Sequence, residues 1–448
     1  MCFNATNMAT TKYEHLTDSV GKKVTLLGWV DKVKEQKRFT FITLRMGLAQ
    51  TVQVVSSVKG VTPESFLQVS GVVSKLPEGA YSTLPVEIQC ESDGIVVISP
   101  ADSSYSTRCP PEAGPEVRLV ERHLYLRDPQ FALITRLRGI LMRAIRAHFD
   151  GTGCTEITPP SFTGVECEGG ATLFKVEHPG VHSDKPMMAY LTQSSQFSLE
   201  FAVPAVGDCY CIAPSFRAEH SHTRRHLTEF THAESEWMGV RTLDDHLGHL
   251  RDMMRGILRH FLDFGEETLT KLGVVERVRH LYGMTHDIVV LEHRVAIAKC
   301  AEMGIMKDDG TPFGERDDIP EKQERELIDK LDKIVFLVKF PKEFKSFYMA
   351  LDPEDPTRVL GCDVEVPGVG EIVGSGVREG DYTRLTARLL ESGLKPEDYA
   401  EYLDMRKFGF SMTSGMGLGV DRMLTWLLGK TSIREVVTFP RFPGYLRP

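Results

Sequence analysis

At 448 residues, with 42% hydrophobic and 26% charged side chains and no low-complexity tract, the chain is long enough for two or three domains with large cores. Its net charge of −9 argues against indiscriminate nucleic-acid binding, and nothing in it resembles a membrane span or a signal peptide. Nine scattered cysteines without a C-x-x-C pair fit reduced thiols, which points to a soluble cytoplasmic protein and away from structural zinc.

Residues 1–11 lack an apolar run, so 1–20 reads as a short tail expected to fray. From Lys22 the pattern turns to short alternating runs at 24–30, 39–44, 51–55, 69–73 and 86–88. Five strands at this spacing, with glycine-containing turns, predict a small β-barrel over 21–108, and the five-stranded OB type is the natural candidate. Local charge departs from the acidic average there, with seven cations against two acids between Gly21 and Met46. Cations interleaved with Phe39 and Phe41 suit single-stranded nucleic acid, because bases stack on aromatics while cations follow phosphates. A place for Phe41 in the barrel core is the alternative.

Residues 99–115 are rich in Ser, Pro and Gly, and 109–130 reads as a linker or hinge. Leu133, Leu137, Ile140, Leu141, Ala144 and Ile145 predict a helix over 129–149 that stops at Asp150-Gly151-Thr152-Gly153. A strand and a double proline follow in Thr155-Glu156-Ile157-Thr158-Pro159-Pro160. The densest chemistry comes next: Phe216-Arg217-Ala218-Glu219, Arg224-Arg225-His226-Leu227-Thr228-Glu229-Phe230, then Glu234 and Glu236. Arginines offset charge on phosphate and carboxylate oxygens, an aromatic ring offers adenine a stacking face, and carboxylates hold a metal or an amino group. That mixture suits a site that activates a carboxylate with ATP; a surface hairpin laced with ion pairs is the alternative. The spacing of His220, His222 and His232 fits solvent-facing loop positions better than a metal site. Helices are expected at 244–272 and 289–303, with a solvated acidic helix at 317–332. Strands follow at 334–340, 347–351, 359–366 and 370–375, and a last helix after Gly415-Met416-Gly417-Leu418-Gly419-Val420-Asp421-Arg422. Residues 131–448 thus read as one catalytic domain in a chain of α+β class.

Three segments stand in a telling order: the long helix with Glu156-Ile157-Thr158-Pro159, the Phe-Arg-Ala-Glu hairpin, and the glycine-rich strand ending in Arg422. In that order they resemble motifs one, two and three of the class II aminoacyl-tRNA synthetases, and the resemblance runs from Lys22 to the end of the chain. It implies an antiparallel catalytic sheet flanked by helices, ATP bound with Mg2+, and a homodimer formed through motif one. An OB-like barrel in front is the layout of the aspartate/asparagine/lysine subgroup. Residues 192–200 are similar to the loop that closes over the amino acid, with Leu199 where aspartate-charging members hold a lysine. A buried ammonium suits a second carboxylate and serves a neutral amide poorly. Leu199, Glu234, Lys345-Ser346-Phe347-Tyr348-Met349 and Phe439-Pro440-Arg441-Phe442 are all similar to the asparagine-charging branch. The implied substrates are therefore L-asparagine and tRNA(Asn).

The same resemblance implies roles. Arg217, Glu371 and Arg422 would be the catalytic residues, Arg217 bridging the substrate carboxylate and the α-phosphate and Arg422 gripping the γ-phosphate. Glu219, Arg225, His226 and Phe230 would line ATP, with Phe230 stacking on adenine. Asp363 and Glu371 are the implied magnesium ligands. Glu168, Ser194 and Gln196 would hold the α-amino end of the amino acid, while Glu234 and Arg378 bracket its side-chain amide. On the barrel, Phe41 would stack on the middle anticodon base, with Gln53 and Arg45 bonding near it. Three features depart from the family: Val377 stands for a frequent Gln, Thr413 for a common His, and the Asp363-to-Glu371 spacing is one residue longer than in aspartate-charging members.

Overall fold

The structure, a computed structural model, describes residues 10–79, 82–167, 173–179, 187–219 and 223–447. It divides into two compact units, Met1–Arg136 with Arg447–Pro448, and Leu137–Leu446. The segment expected as a linker, 109–130, therefore belongs to the first unit, and it carries short helices at Pro115–Val120 and Arg122–Tyr125.

The first unit is built on β1 (Lys23–Glu35), β2 (Thr40–Arg45), β3 (Thr51–Ser56), β4 (Phe66–Lys75), β5 (Val86–Gln89) and β6 (Ile95–Ser99). Five of them close in the order β1-β2-β3-β5-β4, with β4 returning to β1, and β6 adds to β4. All pairs are antiparallel except β3–β5, where Val54 faces Ile88 in parallel register. Closure follows from the alternation read in the sequence: Leu26, Ile42, Leu44, Val52, Val54, Leu67 and Ile88 point inward and are fully buried. Each such side chain contributes about 1.5–3 kcal/mol when taken out of water. Phe41 is half-buried and alternates with Ile42 and Leu44, so it stands on the outer face of β2 rather than in the core.

The second unit holds an eight-stranded sheet in the order β13-β14-β15-β16-β17-β12-β11-β7. Its strands are β7 (Thr155–Glu156), β11 (Cys209–Phe216), β12 (Glu229–Met238), β13 (Val289–Glu292), β14 (Val335–Val338), β15 (Gly361–Val366), β16 (Gly370–Val377) and β17 (Thr413–Gly419). Pairing is antiparallel through the middle and parallel at both ends, β7 on β11 and β13 on β14. A small separate sheet joins β8 (Phe162–Thr163), β10 (Met187–Leu191) and β9 (Lys175–His178). The helices that matter to the site are α1 (Pro129–Gly151), α2 (Gln196–Val206), α3 (Leu243–Leu272), α4 (Glu321–Leu331) and α5 (Val420–Leu428). Thr242 caps α3 by accepting from the Asp245 N–H at 3.1 Å, and Gly273 ends it in the left-handed conformation. Among the described residues no helix is long and apolar enough to cross a membrane.

Two expected elements differ. The segment 289–303 begins as a strand, because its β-branched apolar start pairs with β14 before a helix takes over at His293–Glu302. Residues 347–351 form only isolated bridges, Met349 to Arg378 and Leu351 to Val359. The acidic helix exists as α4, but it is not solvated all round. Gln323, Leu327 and Ile328 are buried on one face, and burial together with Asp363 and Glu371 raises the Glu324 carboxyl above its ordinary range.

Candidate active site

One cavity of about 230 Å³ opens on the middle of the eight-stranded sheet. Its lining gathers Ser194, Gln196, Arg217, Glu219, Arg225, His226, Phe230, Glu234, Asp363, Glu371, Arg378 and Arg422, residues up to 228 positions apart in the chain. Glu168, expected at the amino group, lies outside the described residues, as do His220 and His222. His232 is described, and it is not a solvent-facing loop residue as its spacing suggested. It is buried on β12, with Nδ1 3.2 Å from Ser215 Oγ and 3.5 Å from Glu234 Oε1. Glycine is required at Gly417 on the neighbouring strand β17, since a Cβ there would come within 2.4 Å of the His232 ring.

Cations crowd one end of the cavity. Arg422, the third residue of α5, donates to the Glu371 carboxylate at 3.2 Å and to its carbonyl at 2.9 Å. Arg225 reaches the same carboxylate at 3.9 Å. Desolvation opposes a charge on Glu371, yet Arg422, Lys345 and Arg225 outweigh it and hold that carboxyl down at about 2. The Arg217 guanidinium stands 5.4 Å from the centre of the Phe230 ring, within cation–π range. His226 bonds through Nδ1 to Thr223 Oγ1, and burial with Arg422 and Arg225 nearby lowers it to about 4, so it is a neutral ring near pH 7.

Lys345 is a contributor that sequence reasoning quoted but gave no role. Its ammonium pairs with Asp363 Oδ2 and lies 3.9 Å from the Phe340 ring. Burial raises the Asp363 carboxyl while Lys345 pulls it back. Asp363 Oδ1 is buried and has no hydrogen-bond partner, an orphaned acceptor of the kind a metal ion would satisfy. Glu365, fully buried beside it, has neither carboxylate oxygen bonded, and burial with Glu324 and Glu371 close by pushes it well above the ordinary range. Among the described residues no group of three or more His, Cys, Asp or Glu side chains is arranged to hold a metal alone. Two carboxylates that need further oxygens from phosphate and water fit magnesium's habits.

Carboxylates outnumber cations at the opposite end. Glu234 accepts from Ser194 Oγ and from the Ser195 N–H at 2.8 Å, which anchors it against the start of α2. Arg378 was expected to face Glu234 across an amide, but its guanidinium is already engaged. Nε donates to Glu236 Oε1 at 3.1 Å and Nη2 to Oε2 at 2.9 Å, a buried fork, with Glu200 Oε1 3.8 Å away. Burial disfavours the Arg378 charge, yet Glu236 and Glu200 more than restore it and raise its pKa. Glu200 is itself held by Arg406 at 2.9 Å, Tyr402 at 2.8 Å and Gln196 at 2.9 Å. Gly415 is obligatory beside this fork, because a Cβ there would fall 1.9 Å from Glu236 and 2.3 Å from Arg378. Glu236 and Glu200 were missed as site residues. The spacing of Glu236 two residues after Glu234 on a strand, hence on the same face, was the signal available for one of them.

The other expected residues belong to the first unit. Gln53 Nε2 donates to Glu87 at 2.7 Å. Arg45 is buried and forks onto Glu64 at 2.8 and 2.7 Å, so its donors serve the barrel rather than an open surface.

A family model described as tRNA synthetases class II (D, K and N) matches residues 114–443. The chain is 35% identical to the cytoplasmic asparagine–tRNA ligase of Debaryomyces hansenii over 98% of its own length and 79% of that protein. It is also 35% identical to the asparagine–tRNA ligase of Thermococcus kodakarensis over 96% of each. Among solved structures it is similar to an asparaginyl-tRNA synthetase from Pyrococcus horikoshii complexed with asparaginyl-adenylate. The TM-score is 0.87 at 32% identity, covering 98% of this chain and all of the other.

Proposed function

The chain belongs to the class II tRNA synthetases (D, K and N), and from that premise we propose that it is an ATP-dependent ligase that joins asparagine to tRNA(Asn). The observation that carries the choice of amino acid is the charge at the side-chain end of the cavity. Arg378 is neutralised by Glu236 and Glu200, Leu199 adds no cation, and Glu234 adds a further acid. A second carboxylate on the substrate would enter a surplus of negative charge, whereas a neutral amide donates to Glu234 and accepts from the remaining Arg378 N–H groups.

In the first step an α-carboxylate oxygen of asparagine attacks the α-phosphorus of ATP in line. The bond to the β-phosphate bridge breaks, and pyrophosphate leaves with the electron pair. The substrate carboxylate is already ionised, so no side-chain base is required, and catalysis rests on positioning and charge stabilisation. Arg217 offsets the charge shared between carboxylate and α-phosphate, Phe230 stacks on adenine, and Glu219, Arg225 and His226 complete the nucleotide contacts. Arg422 binds the γ-phosphate. Asp363 and Glu371 would hold Mg2+, which supplies neutralising charge to the phosphates when bound. Lys345 pairs with Asp363 and limits repulsion between the two acids. In the second step a terminal ribose hydroxyl of the tRNA attacks the activated carbonyl and AMP departs.

Phe41, on the outer face of β2, supports stacking with an anticodon base, and Gln53 supports bonding beside it once it turns from Glu87. Arg45 then acts from behind as a brace for the barrel. A homodimer through motif one and a cytoplasmic location complete the reading; the relatives named cytoplasmic support the latter. Asparagine-dependent exchange between ATP and pyrophosphate tests the assignment, and exchange that runs with aspartate but not asparagine overturns it.

A further inference from the structure

A second cavity, of about 220 Å³, adjoins the first and shares Arg225, Arg422 and Ile433 with it. Its charged lining is Arg224, Arg225, Arg325, Arg422, Lys430 and one acid, Glu321. Five cations against one carboxylate is the reverse of the balance at the amino acid end. Glu321 spreads its charge over Arg225 at 3.7 Å and Arg325 at 3.8 Å, and Arg422 is turned towards Glu371. Arg224 and Lys430 enter no ion pair among the described residues. Three regions of the chain deliver these cations: the turn between β11 and β12 (Arg224, Arg225), the second turn of α4 (Arg325), and α5 with the residue after its left-handed Gly429 (Arg422, Lys430). Like charges brought together from three elements raise the energy of the empty site, and a multiply charged anion relieves it.

We propose that this cavity receives the inorganic pyrophosphate released in adenylate formation and holds it on its way out. The inference rests on the activation reaction given above. Arg225 and Arg422 line both cavities, so the leaving anion passes from the nucleotide site into the second cavity without losing its cationic contacts. Arg224, Arg325 and Lys430 then replace the contacts it gives up. No bond is made or broken in this transfer; the diphosphate already carries the electron pair of the broken P–O bond. The same path in reverse admits pyrophosphate for resynthesis of ATP.

The test uses the full chain with Arg325→Ala, Lys430→Ala and the double variant, all at exposed or half-exposed positions outside the nucleotide contacts. In exchange assays at saturating asparagine and ATP, the KM for pyrophosphate should rise about tenfold in the double variant, the equivalent of one lost charge-assisted hydrogen bond. The KM values for ATP and asparagine should stay within about twofold, and Lys430→Arg should retain most of the pyrophosphate affinity. Calorimetry with inorganic pyrophosphate alone should show the same weakening without nucleotide. An unchanged pyrophosphate KM overturns the proposal. So does an equal rise in the KM for ATP, which would make these cations part of the nucleotide site, or a rise confined to the KM for tRNA, which would make them an RNA-backbone contact. Failure of the asparagine reading is separate: wild-type exchange would then lack asparagine dependence, while the calorimetric arm still reports on the cavity.

Discussion

The two ends of the active cavity use the same residue types to opposite effect. At the cation-rich end, proposed for phosphate, Arg217, Arg225, Arg422 and Lys345 surround Glu371 and Asp363, and the adjoining recess adds Arg224, Arg325 and Lys430. At the acid-rich end, proposed for the amino acid, Arg378 and Arg406 are outnumbered by Glu200, Glu234 and Glu236. An arginine facing a surplus of cations attracts polyanions. An arginine buried in a fork with a carboxylate has little net field left, and it selects through hydrogen-bond geometry instead. Residue identity therefore does not set function here; the local sum of charge does.

The sharpest way to break that contrast is at the junction of the two ends. Arg217→Ala should lower the rate of adenylate formation by about 10²–10³-fold, as expected for loss of a group that stabilises transition-state charge. Exchange assays measure it, and a fall of less than tenfold would remove Arg217 from the mechanism. Glu236→Gln should release the charge of Arg378 and shift discrimination between asparagine and aspartate by about 10–100-fold towards aspartate. Exchange with each amino acid reads the ratio, and an unchanged ratio means that Glu236 only supports the fold. Phe41→Ala, in the first unit, should weaken tRNA binding by about 1–3 kcal/mol while leaving amino acid activation intact. Filter binding paired with exchange separates the two. The smallest effect is on stability. His246 is enclosed between Ser375 Oγ at 2.8 Å and Ser414 Oγ at 2.9 Å, and burial followed by Arg378 lowers it to about 3. Its unfolded form takes a proton near pH 6.5, so stability present above that pH should drain away as pH falls towards 3. Melting temperatures across that window should flatten in His246→Gln, which keeps a neutral donor and acceptor there.

Much of the fold was legible because it depends on local periodicity. The barrel strands alternate with period two, and α1 and α3 repeat apolar positions with a helical period, so both are visible in short windows. The misread segment 289–303 shows the limit. Three apolar residues, Val289, Val290 and Leu291, beside a helix look helical until a partner strand, β14, appears more than forty residues later. Part of the cavity lining was also legible, because motif order places Arg217, Phe230 and Arg422 in a recognisable sequence context, and all three line the cavity. Glu200 and Lys345 were not, since their partners Arg406 and Asp363 lie 206 and 18 residues away in the chain and nothing local marks the pairing; for Glu236 the strand spacing from Glu234 was the one signal.

The amino-acid sequence by itself determined the family and the barrel before the catalytic sheet, and Leu199 and Glu234 carry the proposal for the kind of substrate side chain. Only the tertiary structure decided which charges cancel. Arg378 and Glu236 lie 142 residues apart and meet because β12, β17 and β16 pair in one register, with Gly415 leaving room between them. Electrostatic energy depends on distances of a few ångströms in a low-dielectric interior, and those distances are a property of the folded sheet.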